Sequence, residues 1–316
     1  MTANVQVARR RREAVDGLLL LNKPSGMTSN RALQIVKRLL NAKKAGHTGS
    51  LDPSATGMLP LCFGEATKVC AYLLDADKTY RVTARLGTAT DTGDGEGEVT
   101  DTAAIPEMSA DDWDVILQGF IGASMQVPPM YSALKKDGKR LYELARKGET
   151  VEREARPINV REIELLELAG SRLVFRVACS KGTYVRTLVE DIARRGGTVA
   201  HTARLHRESV GQFGGEDMLD MSAVEKLAAD NQDALRGCLL PADTALQAFP
   251  AVSIAEDAGV RFCGGQVVDV STDNEAGLAR VYAAGRQFLG VGELAGNGRL
   301  APRRVFQKQA KNPVDI

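Results

Sequence analysis

The first strongly apolar run is "GLLLL", Gly17 to Leu21, which is too short to cross a membrane and reads as a buried strand entering a Pro-Gly loop. Thr28 or Ser29 then caps a helix over "NRALQIVKRLLNA". Ala32, Ile35, Val36, Leu39 and Leu40 share one face of that helix, with Arg31, Lys37 and Arg38 elsewhere. The segment "AGHTGSLDPSATG" follows as a loop and "MLPLCFG" as a short strand, and "EATKVCAYLLDA" predicts a helix. "KTYRVTARLG" alternates, with Tyr80, Val82, Ala84 and Leu86 on one face, and is a strand. "GTATDTGDGEGEVT" is a hairpin turn or acidic loop. Its acidic spacing fails the calcium-loop pattern because Gly93 stands where a ligand is required.

Val127 to Pro157 is a basic segment, helical over "KRLYELARKG". "INVREIELLELA" and "RLVFRVACS" form a strand pair turning at Gly170-Ser171, and "GTYVRTLVEDIARRGG" is a helix ended by glycines. Strands, helices and hairpins in this order predict an α+β domain with a mixed sheet. From about Phe249 onward, short strands and glycine turns predict a small all-β module, and "KQAKNPVDI" closes the chain as a loose tail.

With 316 residues, the chain has room for about two domains. Arg9 to Arg12 are not followed by an apolar h-region, so the N-terminus reads as a basic solvated tail and not a secretory signal. Five cysteines, an odd count without a CxxC pair, argue against a disulfide framework or a cysteine zinc site and fit a reducing cytoplasm. The net charge of +1 hides a segregation. Residues 1–50 hold ten Lys/Arg against two Asp/Glu, residues 172–207 hold eight against two, and residues 91–114 hold nine acidic groups and no basic one. One positive face and a distant acidic loop would follow, with a polyanion as partner, the alternative being scattered solvated charge. There is no GxxxxGK[ST], GxSxG or HExxH motif, and His47, His201 and His206 are not spaced as metal ligands. No cofactor and no metal are expected, which leaves carboxylates, hydroxyls and arginines for any chemistry.

"GHTGSLDPSATGMLPLCFGEATK", with "LNKPSGMTSN" before it and "SKGTYVRTL" after it, resembles the TruB-type tRNA pseudouridine synthases. "KTYRV" and "PPMYSALKKDGKRLYELARKG" resemble the same family in the same order, so the likeness runs from about Gly17 to Phe306. It implies an α+β fold: a mixed, largely antiparallel sheet with flanking helices, plus a small β-rich PUA-type domain. The implied boundaries are a tail over 1–16, a catalytic domain over 17–248 with an RNA-gripping insertion at about 127–157, and an RNA-binding domain over 249–310. The implied activity is isomerisation of uridine 55 in the tRNA T-arm, by base flipping, glycosidic cleavage using an aspartate, and reattachment through C5. The implied partner is tRNA, with no membrane and no protein partner, for a monomer working in the cytoplasm.

By this resemblance Asp52 is the catalytic carboxylate, as nucleophile at C1′ or base at C2′, and Arg186 is its ion partner. Tyr80 stacks on the flipped base and could take the C5 proton, and His47 fills the gap the base leaves. Lys23 and Pro24 form the "KP" pair that supports the active-site loop and contacts RNA. Lys135, Lys136, Lys139 and Arg140 track phosphates, with Arg146 and Lys147 beside them. Taken singly, each residue has a plainer reading. Asp52 is a turn former before Pro53, Arg186 a surface helix charge, Tyr80 a core tyrosine, His47 a loop histidine bonded to backbone, and Lys23 a surface lysine. Two rival functions stay open, an isomerase for another RNA and an RNA-folding helper without catalysis.

Overall fold

The leucine run forms strand β1 (Gly17–Lys23), which is buried on both faces. Leu19 and Leu21 pack with Ala32, Val36 and Phe63 on one side, and Leu18 and Leu20 with Met58, Cys62 and Leu73 on the other. A strand covered on both faces needs no polar alternation, hence the unbroken run. The computed structural model describes residues 11–284 and 287–307. Most of the basic tail and the closing "KQAKNPVDI" lie outside these residues. Where the tail is described, Arg11 and Arg12 are exposed, but the residues after them are tied down: Val15 is buried, Glu13 pairs with Ala42, and Asp16 Oδ1 accepts the Glu65 amide at 2.7 Å.

Helix α1 (Ser29–Leu39) begins where Thr28 Oγ1 accepts the Arg31 amide at 3.1 Å, and it buries Ala32, Leu33 and Val36. Ile35 and Leu39, expected on the buried face, pack at its edge. The main sheet adds β2 (Ala45–His47), β3 (Thr56–Phe63), β4 (Lys78–Leu86), β5 (Gly122–Gln126), β6 (Arg156–Ala169), β7 (Arg172–Cys179), β8 (Ala200–Val210) and β9 (Leu219–Asp220). Its order is β9-β1-β3-β8-β4-β7-β6-β5, with β2 beside β3. The pairs β1/β9 and β3/β8 are parallel and the others antiparallel. The fold is therefore α+β, with a mixed, largely antiparallel sheet. Its flanking helices are α2 (Cys70–Asp75), α3 (Ala110–Gln118), α4 (Leu141–Ala145), α5 (Val185–Arg195), α6 (Met221–Asp230) and α7 (Gln232–Gly237).

Several local expectations change. Ala45–His47 is a strand, because its backbone pairs with Leu61–Phe63. "EATKVCAYLLDA" begins as a 3₁₀ turn over Gly64–Val69 before α2. Lys139 and Arg140 are not helical. Asp137 and Gly138 both take positive φ, which makes a tight hairpin turn between 135–136 and 139–140 and confines α4 to five residues. The C-terminal module is not all-β. Helix α8 (Glu256–Cys263), with an acidic first turn and Arg261 in its last, buries Ala258 and Phe262 against a five-stranded sheet. All five cysteines are free, and only Cys62 and Cys179 are fully buried.

At the centre of the main sheet a row of residues crosses three strands. Gly57 of β3 lies opposite Arg207 of β8, which lies opposite Tyr80 of β4. Gly57 has φ +102°, and a Cβ there would sit 2.2 Å from the Arg207 carbonyl oxygen, so only glycine lets the two strands approach this closely.

Candidate active site

The loop between β2 and β3 carries Asp52 over this row. Asp52 and Ala55 close a turn (Ala55 N to Asp52 O, 3.1 Å), as the Asp-Pro step suggested. The "KPSGMTS" loop grips it from below. The Lys23 ammonium donates to Pro24 O and Met27 O at 2.8 Å and to Pro53 O at 3.2 Å. Ser29 Oγ exchanges bonds with Leu51 O (3.1 Å) and Leu51 N (2.8 Å), and the Gly26 amide reaches Pro53 O at 2.9 Å. Lys23 is wholly buried, with its ammonium held by carbonyls, so it is neither a surface lysine nor a side chain that RNA can touch. It braces the loop, and Pro24 contributes a carbonyl to that brace. Burial lowers its pKa to about 8, against the pull of Asp52. Replacing it (Lys23→Met) removes the ammonium donor from the Pro24 and Met27 carbonyls and one of two donors from Pro53 O, and is expected to lower stability by about 2 kcal/mol, read as a lower urea midpoint.

Arg186 is the second residue of α5 and is only 6% exposed. Its Nε meets Asp52 Oδ2 at 2.9 Å, while Nη1 donates to Thr92 O at 2.6 Å and Nη2 to Tyr131 O at 2.7 Å. The guanidinium therefore joins the Asp52 loop, the acidic hairpin and the base of the basic insertion, and it is no surface charge. Burial raises the Asp52 pKa above its ordinary 3.8. Arg186 is the strongest opposing influence, Asp94 adds to the rise and Lys23 opposes it. Asp52, Asp94, Arg186, Thr202 and Leu205 line a crevice of about 260 Å³ open to solvent, with Arg204 exposed at its edge. Thr202 Oγ1 is buried there without a hydrogen-bond partner.

Tyr80 points into the core beside Leu51, Ala55 and Phe175, and is 9% exposed. Burial pushes its phenol above the usual range, the Arg207 guanidinium pulls it back, and the charge of Asp52 adds to the rise. His47, at the end of β2, is half-buried, and its Nδ1 is buried without a partner, unlike a histidine bonded to backbone. Burial and then Arg207 hold its pKa below 6.5, so the ring is neutral at neutral pH.

Lys135, Lys136, Lys139 and Arg140 are all exposed on the insertion hairpin, and among the described residues none forms an ion pair. Lys136 Nζ bonds Glu152 O at 2.9 Å, and the guanidinium groups of Arg140 and Arg146 lie over the Tyr142 ring. The acidic segment is not distant, as its charge suggested. Asp94 is 8% exposed, accepts from Thr92 Oγ1 at 2.6 Å, and faces the crevice. Sequence reasoning also passed over Arg207, which is 1% exposed and bonds Met58 O (2.6 Å) and Gly49 O (3.1 Å) with no carboxylate partner among the described residues. Both were concealed by composition, Asp94 among many acids and Arg207 inside an unremarked strand.

Residues 37–185 match the family model described as "TruB family pseudouridylate synthase (N terminal domain)". Residues 186–247 match "tRNA pseudouridylate synthase B C-terminal domain", and residues 250–306 match "Pseudouridine synthase II TruB, C-terminal". The "tRNA pseudouridine synthase B" of Nitrosococcus oceani is 48% identical over 94% of this chain and 96% of that relative. The protein of the same name from Ectopseudomonas mendocina is 50% identical over 95% and 98%. Among solved structures, a chain of "Crystal Structure of a Cbf5-Nop10-Gar1 Complex" superposes with a TM-score of 0.71 at 25% identity, over 92% of this chain and 85% of that one.

Proposed function

The chain belongs to the TruB family of pseudouridine synthases, and from that membership we propose that it isomerises uridine 55 in the T-arm of tRNA to pseudouridine. The observation that carries the reading is the Arg186–Asp52 ion pair at the mouth of the crevice. It favours the ionised carboxylate against partial burial and leaves it open to the crevice, where it can act on a ribose.

In this mechanism the target uridine leaves the T-loop stack, at a cost of a few kcal/mol, and the neutral ring of His47 stacks where the base was. Ionised Asp52 promotes cleavage of the C1′–N1 bond, as nucleophile at C1′ or as base at C2′. The uracil turns, a C1′–C5 bond forms, the C5 proton leaves, and N1 gains a proton, so product and substrate are isomers. Tyr80 offers its ring to the base. Burial disfavours its phenolate, so it is the neutral phenol that meets the base. Lys135, Lys139 and Arg140 on the insertion and Arg204 at the crevice edge would neutralise phosphates, which makes binding salt-dependent. The catalytic domain spans 17–248, with the insertion at about 127–157, and residues 249–310 form a PUA-type RNA-binding domain. The protein acts as a monomer on tRNA in the cytoplasm and needs no protein partner.

The test is to incubate an unmodified tRNA transcript with the protein and map pseudouridine at single-nucleotide resolution. Modification at position 55 alone is expected. Modification at other positions, or none on a folded transcript, would overturn the substrate assignment.

A further inference from the structure

The basic insertion leaves the main sheet at Gln126 and rejoins it at Arg156, and these two residues pair across β5 and β6. They form the root of the segment. Gln126 is 4% exposed, and its side chain is committed elsewhere. Its Nε2 donates to Tyr184 O at 3.1 Å, and its Oε1 accepts from Tyr184 N at 2.8 Å. An amide so placed satisfies both polar groups of one peptide residue, as a neighbouring strand would. Tyr184 is the residue that caps α5 without a side-chain bond of its own, and Arg186 lies two residues further on.

The insertion makes a second contact with the same arginine. Five residues beyond Gln126, Tyr131 O accepts Arg186 Nη2 at 2.7 Å, and Tyr131 OH bonds Asp91 Oδ2 at 3.1 Å. Arg186 is a long side chain with considerable rotamer freedom, and its aim at Asp52 depends on what holds its backbone and its far nitrogens. One of those holds, the Tyr131 carbonyl, belongs to the insertion, and another, the Gln126 clamp, to the strand end from which it leaves.

We propose that Gln126 is a positioning residue that ties the root of the insertion to the start of α5, so that the Arg186–Asp52 ion pair forms only when the insertion is seated. The inference rests on the reading of Asp52 as the catalytic carboxylate. In this structure the root is seated and the guanidinium is aimed, so RNA held by the exposed lysines of the insertion hairpin would meet an ion pair already formed.

The experiment compares wild type with Gln126→Ala and Gln126→Met. It measures the single-turnover rate on tRNA, the tRNA Kd, thermal stability, and the titration of the Asp52 carboxyl by carbon NMR. The charged groups that act on Asp52 are Arg186, Asp94 and Lys23, and only the aim of Arg186 depends on Gln126. Gln126→Ala is expected to slow turnover about tenfold to a hundredfold, with Kd within about twofold of wild type. Its Asp52 midpoint should move up towards that of Arg186→Met. In an Arg186→Met background, Gln126→Ala should add little further loss, since both changes act on one interaction. Gln126→Met, which keeps the side chain's length and loses both bonds without adding a charge, should match the alanine variant, and it carries the test if the alanine variant does not fold. An unmoved Asp52 midpoint, or additive losses in the double variant, would overturn the proposal. Were wild type inactive on tRNA while the midpoint still moved, the substrate reading would fail and the coupling would stand.

Discussion

Asp52→Asn is expected to abolish pseudouridine formation, by about four orders of magnitude or more, while tRNA Kd stays within about threefold of wild type. The substitution preserves shape and an acceptor for Arg186 Nε but removes the negative charge that the C1′ or C2′ chemistry requires. Phosphate contacts on the insertion lie elsewhere on the chain, so binding should survive. Tritium released from C5-labelled uridine gives the rate, and filter binding gives the affinity. Stability supplies an independent check. The folded protein raises the Asp52 pKa above 3.8, so its ionised form costs stability. That cost is absent below the unfolded pKa and grows as pH rises through the folded one. Asparagine never ionises. The variant should therefore be at least as stable as wild type at pH 7, with any difference fading below about pH 4. A variant that loses activity and stability together at pH 7 would point to a structural Asp52.

The site was legible wherever residue type and local order were enough. "GSLDPS" announces a turn that presents a carboxylate, and the Asp52–Ala55 bond closes it. The alternation in "KTYRVTARL" put Tyr80 on the buried face, where it lies. The loop between β2 and β3 carries small residues because Thr48, Leu51 and Ala55 are buried, so bulk there would collide with the protein itself. Gly49 has φ +90° above the Arg207 guanidinium. What stayed hidden depends on contacts distant in sequence. Nothing local says that Asp94 differs from Glu96 or Glu98, because only the sheet brings it beside Thr202. Arg207 looks like any strand arginine until β3 and β4 close on either side of it. Helix α3 was missed inside the acidic stretch, although Ser109 and Asp112 form a capping box and Trp113 and Leu117 are its buried stripe. Its exposed Val115 blurs the periodicity.

Arg186→Met should lower turnover at pH 7 by about two orders of magnitude and move the ascending limb of the pH–rate profile to higher pH. Arg186 is the strongest influence holding the Asp52 pKa down, against burial and the charge of Asp94. With it gone, the Asp52 midpoint moves further up, and only Lys23 still favours the carboxylate. Catalysis needs the ionised form, so the rate should climb about tenfold per pH unit until the raised midpoint is passed. Part of the loss would then be recovered at pH 9, although geometry lost at Thr92 O and Tyr131 O would not return. Arg186→Lys separates the two contributions. An ammonium keeps the charge and should leave the limb near its wild-type position, but it cannot serve Asp52, Thr92 and Tyr131 at once, so its plateau should stay low. Single-turnover profiles between pH 6 and 9 on one tRNA decide the matter. If the methionine profile ran parallel to wild type at every pH, Arg186 would act through geometry alone. The charge would then have no part in preparing Asp52, and the carboxylate would owe its ionisation to Lys23 and to its exposure to solvent.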